Sequence, residues 1–540
     1  GLSILLGNVN QVSVGQAGFF GIGAYSVAYC TTVLNWPFWP AALLGIVAAG
    51  LVGVVVGFVA LRFRGHYLAV ATLAFGLIAV GCFHETKALG GAMGIGDIPF
   101  ARLGPIELSS EPAYWFVWAV ALLVAMLSLN LLHGRTGRAF EAIRNDELAA
   151  EVAGVPTRRY KILAFAYAGA LAGLAGAIYA SYLGIVVSDA VSVSLSIDLL
   201  LMVVLGGSGG VSGALLGAAL IGFLDIAGHE YENWREVAYG VLVVLVVVVA
   251  PGGLAGLLRR RAARPPRAVQ RTAGVVSAVR VPALRSGVAP LAVDGVTKRF
   301  GGLIALDGVS FSLRPATLTS LIGPNGAGKT TLFNAVCGIG RLSGGSVAIG
   351  GVDVRGWQPH RVAALGVGRT FQNARLFGEM TVLENVVAGT FRTGRSDPAS
   401  DLFALPRSRR ERRDAIERAR TTLARLGLER VAQTYAKDLP FGERRRVELA
   451  RAIAADPWLL LVDEPAAGLN AAERATLHDD LLGLRDAGTT LLLIEHDMRL
   501  VMAISDRVMV LEFGRTIADG DASAVRNDPA VIAAYLGTAS

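Results

Sequence analysis

Two short runs in the second half of this chain carry residue types that can do phosphate chemistry. GPNGAGKT, residues 323–330, supplies glycines where successive backbone N–H groups must turn inward around an anion, followed by a lysine and a hydroxyl. In this spacing Lys329 reaches the β- and γ-phosphates of a nucleotide and Thr330 offers its hydroxyl to Mg2+. The second run, WLLLVDEP at 458–465, is apolar and ends in two acids. Asp463 is placed to hold Mg2+ through its water shell, and Glu464 to polarise an attacking water.

These side chains need a scaffold that brings distant segments together. TLTSLI, 317–322, reads as a buried strand entering the loop, and TTLFNAVCGI from Thr330 as the helix leaving it. The N-terminus of that helix adds its positive end to the anion site. A third apolar strand, TTLLLIEHD, ends on His496. The nucleotide-contacting set is Gly323, Pro324, Asn325, Gly326, Ala327, Gly328, Lys329, Thr330 and Thr331.

Further motifs occur in a fixed order around this pair, and together they resemble the ATP-binding-cassette family. LPFGERRRVELARAI (439–453) stands in the place of that family's signature, Gln372 in RTFQN matches its glutamine loop, AAGLN (466–470) its D-loop, and His496 its switch histidine. Phe300, in VTKRFGG, occupies the position that stacks on adenine. The resemblance implies that Gln372 joins Thr330 and Asp463 around Mg2+, and that Lys329, Glu464 and His496 carry hydrolysis. It also implies that Leu439, Pro440, Phe441, Gly442 and Glu443 act in trans, on nucleotide held by a second cassette. The chain has one cassette, so it needs another copy or a related subunit. Pro440 and Phe441 replace the usual Ser and Gly, Glu443 replaces Gln, and Asn470 replaces Asp. Loss of the serine removes a hydroxyl donor to the γ-phosphate. The variants LP-aromatic-G and DEPAAGLN are nevertheless similar to the ATPase subunits of branched-chain amino-acid importers.

The first half faces a different solvent. The 540 residues are 53% hydrophobic and only 17% charged, with a mean hydropathy of +0.53, and the apolar excess lies before residue 258. A helix crossing a bilayer needs about 20 apolar residues, which places spans near 17–34, 41–61, 67–83, 114–132, 162–183, 195–226 and 237–257. The sixth, interrupted by GGSGGVSG, reads as two short or re-entrant helices. Arg62 and Arg64, then Arg135, Arg138, Arg144, Arg158, Arg159 and Lys161, then Arg259 to Arg261, fall in alternate loops, which sets those loops in the cytoplasm. Small residues in GFFGIGAYSVA and AGALAGLAGAIYA suit close helix packing. Asp198 enters an apolar run, either as a pathway residue or as an acid at a helix N-terminus. His66, His84, His133 and His229 offer no ligand spacing, and Cys30, Cys82 and Cys337 offer neither a disulfide frame nor a metal site.

The stretches GQAGFFGIGAYSVA, RFRGHYLAVATLAFG, GGAMGIGDIP, GRAFEAIRNDELAAEVAGV and SIDLLLMVVLGGSGGVSGALLGA resemble the permease subunit of the same importers. The expected plan is a multi-span α-helical membrane domain over 1–258, an Arg/Pro-rich linker over 259–290, and an α/β P-loop cassette with a helical subdomain over 291–540. The first linker arginines anchor the last span on anionic lipid. Opening on GLSILLGNVNQ, with no Met and no basic leading region, the chain reads as the interior of a longer protein, without a signal peptide. Within 134–155, Phe140, Ile143, Leu148 and Val152 recur at helical spacing. The Glu147, Ala149, Ala150, Gly154 pattern beside Arg144 resembles an importer coupling helix, expected to dock in a groove on a cassette.

The net charge of +8 and the basic stretch 407–430 do not indicate nucleic acid. Acids interleave with the arginines there, and Ile416, Leu423 and Leu426 form an apolar stripe that belongs in a helical subdomain. The resemblance implies ATP-driven import of branched-chain amino acids across a bacterial inner membrane, with the ATPase in the cytoplasm. Its partners are a second permease subunit, a second ATP-binding subunit and an external solute-binding protein. Import of urea or short amides, an exporter half-molecule, and a membrane-tethered regulatory ATPase are the alternatives.

Overall fold

The computed structural model describes residues 1–227 apart from 64, 110 and 208, scattered positions within 240–256, and 288–536. Arg64, His229, Arg259 to Arg261, most of the 259–290 linker and much of the span expected at 237–257 lie outside the described residues. The chain forms two compact units. The first comprises the described parts of Gly1–Arg144, Thr157–Pro265 and Asp397–Leu405, and the second those of Asn145–Pro156, Pro266–Ser396 and Pro406–Ser540.

The first unit is helical: α1 (Leu2–Val9), α2 (Gln16–Thr32), α3 (Phe38–Ala60), α4 (His66–Glu85), α5 (Glu111–His133), α6 (Arg135–Asn145), α8 (Thr157–Leu183), α9 (Val193–Gly206) and α10 (Val211–Ala227), with a small hairpin β1 (Arg102–Leu103) and β2 (Ile106–Glu107) before α5. Among the described residues, α3, α4, α5 and α8 are long and apolar enough to cross a membrane. The 23 residues of α3 reach about 35 Å. Leu51, Val55 and Phe58, one turn apart on α3, and Trp115 and Leu122 on α5 are exposed, the distribution a hydrocarbon solvent requires.

The helix in the place of the first expected span differs: α2 has 17 residues and packs between α3 and α8, with Phe19, Ala24, Val27 and Ala28 fully buried. Glycines make this possible. A Cβ on Gly23 would lie 2.0 Å from the Gly173 carbonyl oxygen, and one on Gly176 would lie 1.9 Å from that of Phe20. The sixth expected span is two helices, α9 and α10, bent by 117° at the glycine-rich break. Asp198 lies beyond the first turn of α9, so the helix N-terminal reading of this acid is corrected. Asp401, buried, accepts from the Thr136 N–H at 2.8 Å and the Thr136 hydroxyl at 2.7 Å, satisfying donors at the start of α6.

The second unit contains α7 (Glu147–Val152) and an α/β body. Its strands are β3 (Leu291–Phe300), β4 (Leu303–Ser312), β5 (Leu318–Ile322), β6 (Gly344–Ile349), β7 (Val352–Asp353), β8 (Val367–Arg369), β9 (Leu459–Asp463), β10 (Thr490–Ile494), β11 (Arg507–Glu512) and β12 (Arg515–Gly520). One sheet has the order β12-β11-β5-β10-β9-β8, parallel except for β12; the other, β4-β3-β6-β7, is antiparallel. β5, β9 and β10 are buried along their whole length, as continuous apolar runs between covering layers must be. Beside them lies a helical subdomain with Val386, Ala419, Leu423, Leu426 and Val447 in its core.

The 134–155 stretch is not one amphipathic helix. Asp146 breaks it into α6 and α7, accepting the Ala149 N–H with its side chain as the N-cap of α7. Consequently Ala149 and Ala150 are buried while Leu148 and Val152 are only half-buried, which corrects the single apolar face expected from Phe140, Ile143, Leu148 and Val152.

Candidate active site

Register aligns the chemistry. Ile494 of β10 pairs with Asp463 of β9 on one side and Leu321 of β5 on the other, so three strands end level at one edge of the sheet. Gly323, Glu464 and His496 therefore emerge side by side, although 173 residues separate the first from the last. Binding at the carboxyl ends of parallel strands follows from this arrangement.

The loop after β5 turns back through glycines with positive φ, 147° at Gly323, 84° at Gly326 and 101° at Gly328. A Cβ at Gly323 would lie 2.0 Å from the Leu511 carbonyl oxygen, so no larger residue fits there. The helix Lys329–Val336 starts at the lysine. Lys329 is buried, and its Nζ donates to the carbonyls of Gly323 (2.7 Å) and Pro324 (2.9 Å), curling the side chain back along its own loop. Burial holds its pKa below the ordinary lysine value, opposed by the charges of Glu464 and Asp463. A cleft of about 370 Å³ opens over the loop, lined by Phe300, Asn325, Gly326, Ala327, Gly328, Lys329, Thr330, Thr331, Gln372, Glu464 and His496. That volume suits a small-molecule ligand. Phe300 is half exposed at its rim. Gly323, Pro324 and Asp463 do not line it.

Asp463 is almost wholly buried, and its Oδ1 has no hydrogen-bond partner. Its backbone N–H donates to the Thr370 hydroxyl, and Oδ2 lies 3.9 Å from the buried Arg369 guanidinium. Burial raises the Asp463 pKa to about 6; Arg369 opposes the shift and Glu464 adds to it. An ionised oxygen with nothing to accept from is costly, and the site gains from a cation.

Glu464 adopts a left-handed backbone, φ 44°, rare for a non-glycine residue and costing about 1–3 kcal/mol. That conformation turns its carboxylate into the cleft. Oε1 lies 2.6 Å from His496 Nε2, and Oε2 accepts from Gln372 Nε2 at 3.0 Å. The two loop ends and the acid are thus closed on one another. Motif matching overlooked Glu495. It is buried, accepting the Ala466 N–H at 2.7 Å and the His496 N–H at 2.9 Å, and so fastens the 466–470 turn to the histidine loop. An acid between an apolar strand and a histidine was the one available signal.

Leu439, Pro440, Phe441, Gly442 and Glu443 are absent from the cleft lining. Pro440 precedes the helix Phe441–Ile453; Leu439 is buried and Phe441 exposed, and Glu443 pairs with Arg430. A Cβ on Gly468 would meet the Phe441 ring at 2.8 Å, so the aromatic of one motif packs on the glycine of the other. Asn470 caps the helix Ala471–Asp486 and exchanges hydrogen bonds with Glu473, a complete capping box that asparagine serves as well as aspartate.

Within the second unit, Asn145–Pro156 packs on the α/β body. Ala149, Val152 and Ala153 face Ala363, Arg392, Arg451 and Ala455 across a narrow gap. Gly154, at φ 96°, passes close to Arg392. Asp146 accepts from Arg375 at 3.0 Å, and Asn145 accepts the Glu379 N–H at 3.2 Å. Arg144 is exposed and Glu147 half-buried. Asp146, which lies between them, pairs on this body with Arg375.

Three family profiles match successive parts of the chain: the branched-chain amino acid transport system permease component over residues 1–250, ABC transporter over 306–467, and branched-chain amino acid ATP-binding cassette transporter over 515–540. The chain is 46% identical over 250 residues to the high-affinity branched-chain amino acid transport ATP-binding protein LivG of Salmonella typhimurium, covering 46% of this chain and 98% of that protein. It is 44% identical over 250 residues to BraF of Pseudomonas aeruginosa, with the same coverage. It is 33% identical over 258 residues to a probable LivG of Methanocaldococcus jannaschii, covering 47% of this chain and all of that protein. Among solved structures it is similar to a nucleotide-free ATP-binding cassette from an ABC transporter (TM-score 0.41, 33% identity, 46% of this chain and 99% of the other). It is also similar to the ADP conformation of MJ1267, an ATP-binding cassette of an ABC transporter (TM-score 0.41, 34% identity, 46% and 99%).

Proposed function

We propose a mechanism from one premise: the chain belongs to the branched-chain amino acid ABC transporters, with a permease and its ATPase fused in one polypeptide. It is a multi-pass membrane protein that binds ATP and uses its hydrolysis to drive branched-chain amino acid transport. We place it in a bacterial inner membrane with the ATPase in the cytoplasm, the side to which Arg135, Arg138 and Arg144 beside α5 assign that end of the helix. Transport is inward, from an external solute-binding protein, and requires a second permease and a second cassette.

Phosphates settle on the N–H groups of 325–331 and the N-terminus of the helix Lys329–Val336, drawing Lys329 off its loop carbonyls and onto the β- and γ-phosphates. The adenine stacks on Phe300. Asp463, Thr330 and Gln372 would hold Mg2+, and the unpartnered buried Oδ1 of Asp463 fits that ion. Its chemistry when bound is neutralisation of charge on the phosphate oxygens. Glu464 orients the attacking water, but it does so only after parting from His496 and Gln372. His496 is then free to reach the γ-phosphate. Leu439 to Glu443 close on the nucleotide of the partner cassette, and α7 carries the closure to the spans.

The observation that carries this reading is the single cleft where Lys329, Thr330, Gln372, Glu464 and His496 converge. Its test is Glu464→Gln in proteoliposomes supplied with binding protein and labelled leucine. ATP binding persists while hydrolysis and uptake fall together, by about 10²- to 10³-fold. Near-normal hydrolysis removes Glu464 from this role.

A further inference from the structure

Three side chains of the helix Phe441–Ile453, at successive turns, reach the loop that carries Gln372. Glu448 Oε1 accepts the N–H of Phe371 at 3.2 Å and the N–H of Arg375 at 3.1 Å. Arg445 donates to the Phe371 carbonyl at 2.9 Å, and Arg451 donates to the Arg375 carbonyl at 2.5 Å. Both backbone polar groups of the residue just before Gln372, and both of the residue three beyond it, are therefore held by one helix. The carboxylate lies 3.9 Å from Arg445 and 3.7 Å from Arg451, and all three side chains are at most 5% exposed.

Burying one acid between two guanidinium groups is costly unless the geometry is well satisfied. Aliphatic side chains would fill this volume more cheaply, but they could not hold the loop's amides and carbonyls. Arg375 continues the connection outward. Its backbone is gripped by Glu448 and Arg451, and its guanidinium grips Asp146, the cap of α7. At the other end, Gln372 donates to Glu464.

We propose that Glu448 is a positioning residue that makes the signature helix, the glutamine loop and α7 move as one body, so that closure at the nucleotide is delivered to the coupling segment instead of being absorbed by loop flexing. This rests on the coupling reading of α7 above. Glu448 does not line the nucleotide cleft; it acts through Gln372 and Arg375.

The test uses the full chain with its partner subunits in proteoliposomes, measuring leucine uptake and ATP hydrolysis side by side. Glu448→Gln keeps the shape and one acceptor oxygen but leaves Arg445 and Arg451 without a counter-charge. It lowers leucine moved per ATP hydrolysed by about tenfold, with the KM for ATP within about twofold of the parent. Arg375→Gln, at a partly exposed side chain that does not threaten the core, gives the same uncoupling. The two changes combined are no worse than the more severe one, because they cut one connection. Two results overturn the proposal: a transport-to-hydrolysis ratio unchanged in both variants while Glu448→Gln lowers only the melting temperature, or effects that simply add. A parent protein that hydrolyses ATP without any uptake instead overturns the functional reading itself, so the two failures are distinguishable.

Discussion

Asp463→Asn should make the resting protein more stable while disabling it, by an amount set by the burial of Asp463. Its pKa rises from the ordinary 3.8 to about 6 because burial penalises the ionised form more than Arg369 favours it. The folded protein thus holds this proton more tightly than the unfolded chain does. Below about pH 4 both states are protonated and the site costs nothing. Between about pH 4 and pH 6 the unfolded chain releases its proton first, so stability falls as pH rises, and above that window the penalty is complete and constant. The gap of about 2.2 pH units, at about 1.36 kcal/mol each, is about 3 kcal/mol. Asparagine has the shape of the neutral acid and no charge to desolvate. At pH 8, without nucleotide or divalent cation, D463N should melt about 6–12 °C higher in the cassette transition, taking about 2–4 °C per kcal/mol for a domain of this size. The advantage should shrink to almost nothing at pH 4. Magnesium nucleotide should reverse the order, stabilising the parent and leaving D463N unmoved. Differential scanning fluorimetry of the detergent-solubilised protein across pH, with and without Mg-ADP, reads all of this. The reasoning fails if D463N melts lower than the parent at pH 8, or if its advantage is as large at pH 4.

Three other perturbations follow from particular contacts. Gly176→Val places a side chain where even a Cβ would lie 1.9 Å from the Phe20 carbonyl oxygen, so α2 and α8 must separate; uptake should be lost while ATP binding by the purified protein persists. Asn470→Ala removes the cap of the helix Ala471–Asp486 and should cost about 1 kcal/mol in the same melting assay, while Asn470→Asp stays within a few tenths of the parent. Asp146→Lys opposes Arg375 and should lower leucine transported per ATP more than Arg144→Glu does, because Arg144 is exposed while Asp146 makes the ion pair.

What could be read from the residues in advance was what depends on short spacing. The phosphate loop needs glycines, lysine and threonine within eight residues, flanked by a strand and a helix, and every part of that requirement is local. Glu464 and His496 were legible because each directly follows an apolar strand, and parallel pairing brings strand ends together whatever separates them along the chain. Residues whose role depends on a distant partner left no local mark. Asp146 finds Arg375 229 positions away, and Asp401 finds Thr136 265 positions away. Glu448, in a run of arginines, reads as one more helix-surface acid. The coupling stretch misled for a related reason: its apolar spacing fits one helix, but the Asp146 side chain competes for the backbone and starts a second. In the membrane half, hydropathy measures the length of an apolar run, not whether lipid or protein surrounds it. That is why α2, short and enclosed, was expected as an ordinary span.

The left-handed Glu464 connects these observations to the order of events in a turnover. Its carboxylate is spoken for at both oxygens, by His496 and by Gln372, and its backbone stores strain that those two contacts offset. Those two contacts turn both oxygens toward the histidine and the glutamine, and in the mechanism proposed above the carboxylate must leave that arrangement before it orients water. Releasing it requires moving the histidine loop, which Glu495 fastens to the 466–470 turn, and the glutamine loop, which Glu448 fastens to the signature helix. Both of those elements, in the reading proposed here, meet the partner cassette. On that proposal the acid is freed by the arrival of the partner more than by the arrival of ATP. On the proposed mechanism, hydrolysis is thereby tied to the closed assembly.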